Sequence, residues 1–169
     1  MSQRCGSKAT VGGANAVNRD YGSVTHAACT TRSILLDPYS FSHVSHGILF
    51  FGLCAWLLPS LALGWRLVVA TAIEAVWEIV ENTQFVIDRY RAATISLDYY
   101  GDSVGNSFGD VLSCLVGFVL ARYLGFWRSV ALLLVLELVL LFWIRDNLLL
   151  NVVMLIHPID AVKAWQNGR

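Results

Sequence analysis

Long apolar runs separated by short polar segments make up most of the chain after residue 37. Residues 47–65 contain no charged side chain, and residues 129–144 contain only Glu137. A bilayer core of about 30 Å is crossed by roughly 20 mostly apolar helical residues, so both runs are candidates for membrane spans. Continuous apolar runs favour helices, because the strands of a transmembrane barrel alternate between apolar and polar residues.

The pattern predicts an all-α fold, an integral membrane bundle of about four transmembrane helices plus a C-terminal interfacial or re-entrant helix. The predicted spans cover residues 42–63, 65–87, 104–122 and 126–145. The apolar segment after Arg145 is too short to cross a bilayer, and we expect it to end near Pro158. Residues 1–36 lack the apolar core of a signal peptide and are predicted to be a flexible polar tail. Residues 37–169 are predicted to form a single transmembrane helical domain.

Composition favours a membrane protein over a soluble domain. Of the 169 residues, 56% are hydrophobic and 14% are charged, and the mean hydropathy is +0.59. Twelve Lys and Arg balance twelve Asp and Glu, so the net charge does not indicate nucleic acid, and we expect no nucleic-acid partner. Membrane orientation stays open, because the basic residues favour a cytoplasmic N-terminus only if Arg89, Arg91 and Arg145 serve topology rather than function.

Carboxylates interrupt the second predicted span, and they share one face of it. At about 100° per residue, Glu74, Glu78 and Glu81 lie within roughly 60° of one another. A charge at the centre of a membrane helix costs about 2.5–3.5 kcal/mol, so these side chains should face the bundle interior. The first predicted span opens with His43 and His46, one turn apart. The third span carries a matching face of acidic, amide and small residues: Asp102, Asn106, Gly109, Asp110, Ser113 and Gly117.

Each of these polar groups also has a structural interpretation. Glu81 lies near a helix end, where it would reach the headgroups, and Asp102 is placed to cap the third helix. Arg91 and Arg145 would neutralise neighbouring acids. The convergence of ionisable residues from several helices favours a functional polar site, because such residues inside membranes usually mark one.

Four stretches together resemble a family of uncharacterised bacterial multi-pass inner-membrane proteins. They are "DPYSFSHVSHGILFF", "IEAVWEIVENTQFVIDRYRAATISLDYYGDSVGNS", "LELVLLFWIRDNLLLNVVMLIHP" and "AVKAWQ". The resemblance runs from about Asp37 to Gln166, and it implies a place in the lipid bilayer of the bacterial inner membrane without implying a reaction. A more distant likeness to VanZ-like membrane proteins rests on the ordered set Glu81, Arg91, Ser96, Asp98 and Asn106.

The candidate site is a cavity at the membrane surface that acts on a lipid or a lipid-linked headgroup. In this hypothesis a carboxylate serves as acid or base, and Arg91 holds a phosphate through two hydrogen bonds. The residues expected to line the cavity are His46, Glu78, Glu81, Arg91, Asp98, Asp102, Asn106 and Asp110.

Two other classes of function fit the same residues, so the sequence does not decide whether the protein is an enzyme. A small proton- or ion-coupled transporter with four spans would have to assemble as a homo-oligomer, although the sequence does not fix the oligomeric state. A membrane assembly or structural factor would use the polar groups to join helices. His43, His46 and the carboxylates are candidate ligands for a divalent metal, but no HExxH or comparable spacing occurs, and no cofactor is identified.

Overall fold

The computed structural model describes residues 38–94 and 99–168, which form helices without a strand among them. The predicted all-α class is therefore confirmed. The predicted tail of residues 1–36 lies outside the described residues, as does Asp98 of the candidate site. The helices are α1 (Pro38–Leu57), α2 (Leu63–Glu81), α3 (Gln84–Ala93), α4 (Val104–Leu124), α5 (Phe126–Ile144), α6 (Leu148–Ile156) and α7 (Asp160–Gln166).

Three of the described helices, α1, α4 and α5, are long and apolar enough to cross a membrane. They match the first, third and fourth predicted spans to within a few residues at each end, except that α1 begins and ends earlier than predicted. Helix α2 has 19 residues, a similar length, but it carries Arg66 as well as its three glutamates. A fourth membrane span therefore stays a prediction.

The prediction of one helix over residues 65–87 is wrong, because the chain breaks at Asn82 and Thr83 between α2 and α3. The Nδ2 of Asn82 donates to the carbonyl of Glu78 at 2.9 Å, and the Oγ1 of Thr83 donates to the carbonyl of Val80 at 2.6 Å. Short polar side chains that bind nearby carbonyls compete with the hydrogen bonds of the helix itself. This pair therefore ends α2 and lets α3 leave in a new direction.

The segment after α5 forms two short helices, whereas the sequence predicted one. Asn147 caps α6 by accepting a hydrogen bond from the N–H of Leu150 at 2.8 Å. Helix α6 ends just before Pro158, as predicted, because proline disfavours a helical conformation in the residue that precedes it. The additional helix α7 follows, and the Nη1 of Arg145 donates to the carbonyl of Trp165 in it at 3.2 Å.

Helix α1 packs against α2, α4 and α5, with its most extensive contact on α4. Two glycines permit this contact. A Cβ atom added to Gly47 would lie 1.9 Å from the carbonyl oxygen of Cys114, and one added to Gly117 would lie 2.1 Å from the carbonyl oxygen of Val44. The two backbones therefore touch, as small residues allow in membrane bundles. This contact brings the histidines of α1 next to the acidic face of α4.

Candidate functional site

Polar side chains from α1, α2, α3, α4 and α6 line a cavity of about 170 Å³. Of the predicted site residues, five line this cavity: His46, Glu81, Asp102, Asn106 and Asp110. They come from three helices and the segment that precedes α4. The structure thus brings together residues that are up to 64 positions apart in the sequence.

Glu74 organises the two histidines of α1. It is fully buried, and its Oε1 lies 2.5 Å from the Nδ1 of His43. Its Oε2 lies 3.0 Å from the Nδ1 of His46. A carboxylate only accepts hydrogen bonds, so each imidazole carries its hydrogen on Nδ1 and leaves Nε2 for another partner. One buried carboxylate therefore fixes the orientation of both rings.

Glu78 and Asp110 approach His43 from α2 and α4. The Oε1 of Glu78 lies 3.5 Å from the Nδ1 of His43, and the Oδ1 of Asp110 lies 3.9 Å from its Nε2. Asn106 donates from Nδ2 to the Oδ2 of Asp110 at 2.8 Å. The side chain of Glu78 is buried, and its carboxylate oxygens accept no hydrogen bond of normal geometry from the described residues, although the hydroxyl of Ser107 lies nearby. The predicted residue Glu78 thus lies beside the cavity, within the histidine cluster, rather than in the cavity wall.

Tyrosine hydroxyls form another part of the cavity wall. Tyr99 donates to the Oδ2 of Asp102 at 2.7 Å, and Tyr90 donates to the Oδ1 of Asn151 at 2.9 Å. Burial, together with the nearby carboxylate of Glu81, raises the pKa of Tyr90. Burial and the hydrogen bond to Asp102 raise the pKa of Tyr99. Both phenols therefore stay protonated at neutral pH and act as hydrogen-bond donors.

Two further predictions concern Asp102 as the cap of α4 and Arg91 as a phosphate-binding residue. Ser103, not Asp102, caps α4, since its hydroxyl accepts a hydrogen bond from the N–H of Asn106 at 3.2 Å. Arg91 is not among the residues that line the cavity, and its guanidinium lies 4.8 Å from the centre of the Tyr100 ring. A phosphate-binding role for Arg91 therefore stays a prediction.

The sequence-based site omitted residues that the fold makes central. His43 and Glu74 lie on the predicted polar faces. The spacing of the histidines and of the glutamates is the sequence signal by which both residues could have been included in the site. Tyr90 and Asn151 carried no such signal, because they come from α3 and α6, whose positions depend on the break after α2 and on the turn after α5.

An apolar groove of about 480 Å³ adjoins the cavity. Its lining includes Leu133 and Leu134 of α5 and Leu149 of α6. The groove and the cavity share four lining residues, which are His46, Trp77, Leu148 and Val152. A polar compartment and an apolar compartment therefore lie next to each other, with these side chains in the wall of both.

Comparisons with known proteins agree on one family. The family model described as "Protein of unknown function (DUF2585)" matches residues 16–168. A UPF0314 protein of Paracoccus denitrificans (strain Pd 1222) is 52% identical over 132 residues, which cover 78% of this chain and 68% of the relative. A UPF0314 protein of Rhizobium meliloti (strain 1021) is 55% identical over 134 residues, which cover 79% of this chain and 68% of the relative.

No solved structure matches the chain significantly. The likeness to VanZ-like proteins receives no support from the family model or from these relatives. The resemblance to a family of uncharacterised bacterial proteins is confirmed. The chain therefore belongs to the family of proteins of unknown function DUF2585, and its relatives include the UPF0314 proteins.

Proposed function

We propose that this protein is a multi-pass protein of the bacterial inner membrane that binds a lipid or a lipid-linked molecule. The headgroup would occupy the polar cavity, and the chain would lie in the apolar groove. The single observation that carries this proposal is that the two compartments are adjacent and share His46, Trp77, Leu148 and Val152 in their walls. A ligand with one polar and one apolar end is the simplest molecule that fills both.

The chemistry of the cavity favours a headgroup that donates hydrogen bonds. Its lining contains the carboxylates of Glu81, Asp102 and Asp110 and the amide of Asn151, all of which offer acceptor oxygens. No lysine or arginine is among the described residues that line it. A polyol or an amine therefore suits the cavity better than a bare phosphate, which would meet three carboxylates while the two histidines of the wall are already engaged by Glu74.

A matched pair of substitutions in α5 tests the role of the groove. Leu134 lines the groove and is 57% exposed, whereas Leu138, one turn later, is 51% exposed and is not among the lining residues. Leu134→Trp would fill the groove, and Leu138→Trp adds the same bulk outside it. Native mass spectrometry of the two purified variants would measure the fraction of protein that retains membrane lipid.

We expect Leu134→Trp to bind co-purifying lipid about tenfold more weakly than the wild type, which corresponds to a loss of about 1.4 kcal/mol of chain packing. Leu138→Trp should retain lipid as the wild type does. Equal retention by the two variants would contradict a chain-binding role for the groove.

A genetic experiment separates binding from conversion. Lipids and envelope components are compared in a deletion strain that carries the wild-type gene or the Glu78→Gln variant. If the protein converts its ligand, a species accumulates in the deletion strain and only the wild type clears it. Full clearance by Glu78→Gln would exclude Glu78 from acid-base chemistry, and an unchanged lipid profile in the deletion strain would contradict a lipid substrate.

A further inference from the structure

We infer that His43, Glu78 and Asp110 form a binding site for one divalent transition-metal ion beside the cavity. Each residue offers a coordinating atom, and these atoms lie within 4.8 Å of one another. All three side chains are at least nine-tenths buried. His43 and Asp110 also line the cavity, so an ion held here would be reached from it. The site does not depend on which ligand occupies the cavity or the groove.

Glu78 provides an independent indication of a missing partner. Its side chain is only 5% exposed, and neither of its carboxylate oxygens accepts a hydrogen bond of normal geometry from the described residues, although the hydroxyl of Ser107 lies nearby. Its Oε1 lies 3.5 Å from the Nδ1 of His43. A buried carboxylate is unfavourable unless it is paired, hydrogen-bonded or bound to a metal. A cation between Glu78, Asp110 and His43 would supply that partner.

Distances favour this group over the neighbouring group of His43, His46 and Glu74. Two ligands that bind one ion at about 2.0–2.2 Å stand roughly 3–4 Å apart. The Nδ1 of His43 and the Oε1 of Glu74 are only 2.5 Å apart, which is a direct hydrogen bond that leaves no space for an ion. The Nε2 of His43 and the Oδ1 of Asp110 are 3.9 Å apart, a separation that an ion can bridge.

Glu74 then acts as a positioning residue. Histidine ligands of metals usually donate their second ring N–H to a carboxylate, which fixes the tautomer and the ring orientation. The contact between Glu74 and the Nδ1 of His43 has this geometry, and it leaves Nε2, which faces Asp110, as the metal ligand. Glu78, whose Oε1 lies 3.5 Å from Nδ1, would complete the set by rotating its side chain towards Nε2. Asn106 holds Asp110 in a similar way through its 2.8 Å hydrogen bond. Two of the three proposed ligands are thus oriented before an ion arrives.

The ligand set indicates the class of metal. One imidazole and two carboxylates suit Zn²⁺ or Mn²⁺, whereas Ca²⁺ prefers oxygen ligands alone and Cu⁺ prefers sulfur. Three protein ligands leave a coordination position for water or for a group of the bound ligand, as in catalytic zinc sites. The two carboxylates would neutralise the charge of such an ion.

Metal binding is tested on the full-length protein in detergent after treatment with a chelator. Calorimetric titration with Zn²⁺ alone measures affinity and stoichiometry, and elemental analysis of protein purified without a chelator measures the bound metal. The variants are Glu78→Gln, Asp110→Asn and Glu74→Gln. The matched control is Asp88→Asn, which changes an exposed carboxylate of α3 that lines neither the cavity nor the groove and lies outside the proposed ligand set.

We expect the wild type and Asp88→Asn to bind one Zn²⁺ per chain with equal affinity. Glu78→Gln and Asp110→Asn should each weaken binding by at least about tenfold, and Glu74→Gln by about 10- to 100-fold, as is usual for a group that orients a ligand. Zn²⁺ should raise the melting temperature of the wild type but not of Glu78→Gln, which also shows whether that variant is folded. The proposal is overturned if the wild type binds no stoichiometric Zn²⁺, or if Glu78→Gln and Asp88→Asn bind it equally. Either result leaves the lipid retention of Leu134→Trp unaffected, so the two proposals fail separately.

Discussion

Replacing Gly47 with alanine should push α1 away from α4. The added Cβ would lie 1.9 Å from the carbonyl oxygen of Cys114, a backbone atom that cannot rotate aside. An ordinary carbon–oxygen contact is about 3.3 Å, so the two backbones would have to separate by roughly 1.4 Å. Overpacking a tight core usually costs about 1–3 kcal/mol, and a clash between backbones belongs at the upper end of that range.

Gly52→Ala is the matched control, because Gly52 lies in the same helix and a Cβ there would meet nothing within 4 Å. Helix propensity favours alanine over glycine by up to about 1 kcal/mol, so the control should be neutral or slightly stabilising. A loss of about 3 kcal/mol lowers the melting temperature of a chain of this size by about 6–12 °C. Thermal unfolding of both variants in the same detergent measures the difference. If Gly47→Ala melts within about 2 °C of Gly52→Ala, the backbones of α1 and α4 do not touch as described.

Three further predictions concern the ends of helices. Burial raises the pKa of Asp146 in the folded protein. Its contribution to stability is therefore present below about pH 4, the pKa in the unfolded chain, and is lost as the pH rises through the pKa of the folded protein. The stability of Asp146→Asn relative to the wild type should increase from pH 4 to pH 7 in thermal melts, and a constant difference would refute this. Arg89 donates to the last carbonyls of α6, including that of Ile156 at 3.0 Å. Arg89→Ala should therefore speed amide exchange in α6 but not in α4, and the same change of exchange rate in both helices would argue against this role. Ser103→Ala removes the cap of α4 and should cost about 1 kcal/mol in the same melts, whereas an unchanged melting temperature would show that the cap is dispensable.

The helical class and the polar faces were predictable because they follow from local periodicity. Glu74 and Glu78 recur at the spacing of a helix, and an apolar environment leaves such residues only the bundle interior. Asp110 and Gly117 share a face of α4 for the same reason. A single chain of apolar helices can bring such faces together in few ways, so the meeting of α1, α2 and α4 followed from the pattern.

Other parts of the site depend on contacts that the pattern does not encode. The apolar periodicity continues through Asn82 and Thr83, and only the hydrogen bonds of their side chains to carbonyls show that α2 ends there. That break directs α3 so that Tyr90 reaches Asn151 of α6, at a sequence separation of 61 residues. The predicted site also included Glu78 and left out Glu74, because periodicity cannot show which of two carboxylates on one face contacts the histidines.

The glycine contact and the proposed metal site are consequences of one arrangement of α1 and α4. His43 lies one turn before Gly47 on α1, and Asp110 lies two turns before Gly117 on α4, so each ligand shares a face with the glycine that permits close packing. The present separation of 3.9 Å between the Nε2 of His43 and the Oδ1 of Asp110 is near the largest that one ion spans, which is roughly 4 Å. A further separation of the helices by roughly 1.4 Å would exceed that limit. Gly47→Ala should therefore weaken Zn²⁺ binding as well as stability, whereas Gly52→Ala should weaken neither. Unchanged Zn²⁺ affinity in Gly47→Ala would show that the contact between the helices does not set the geometry of the ligands.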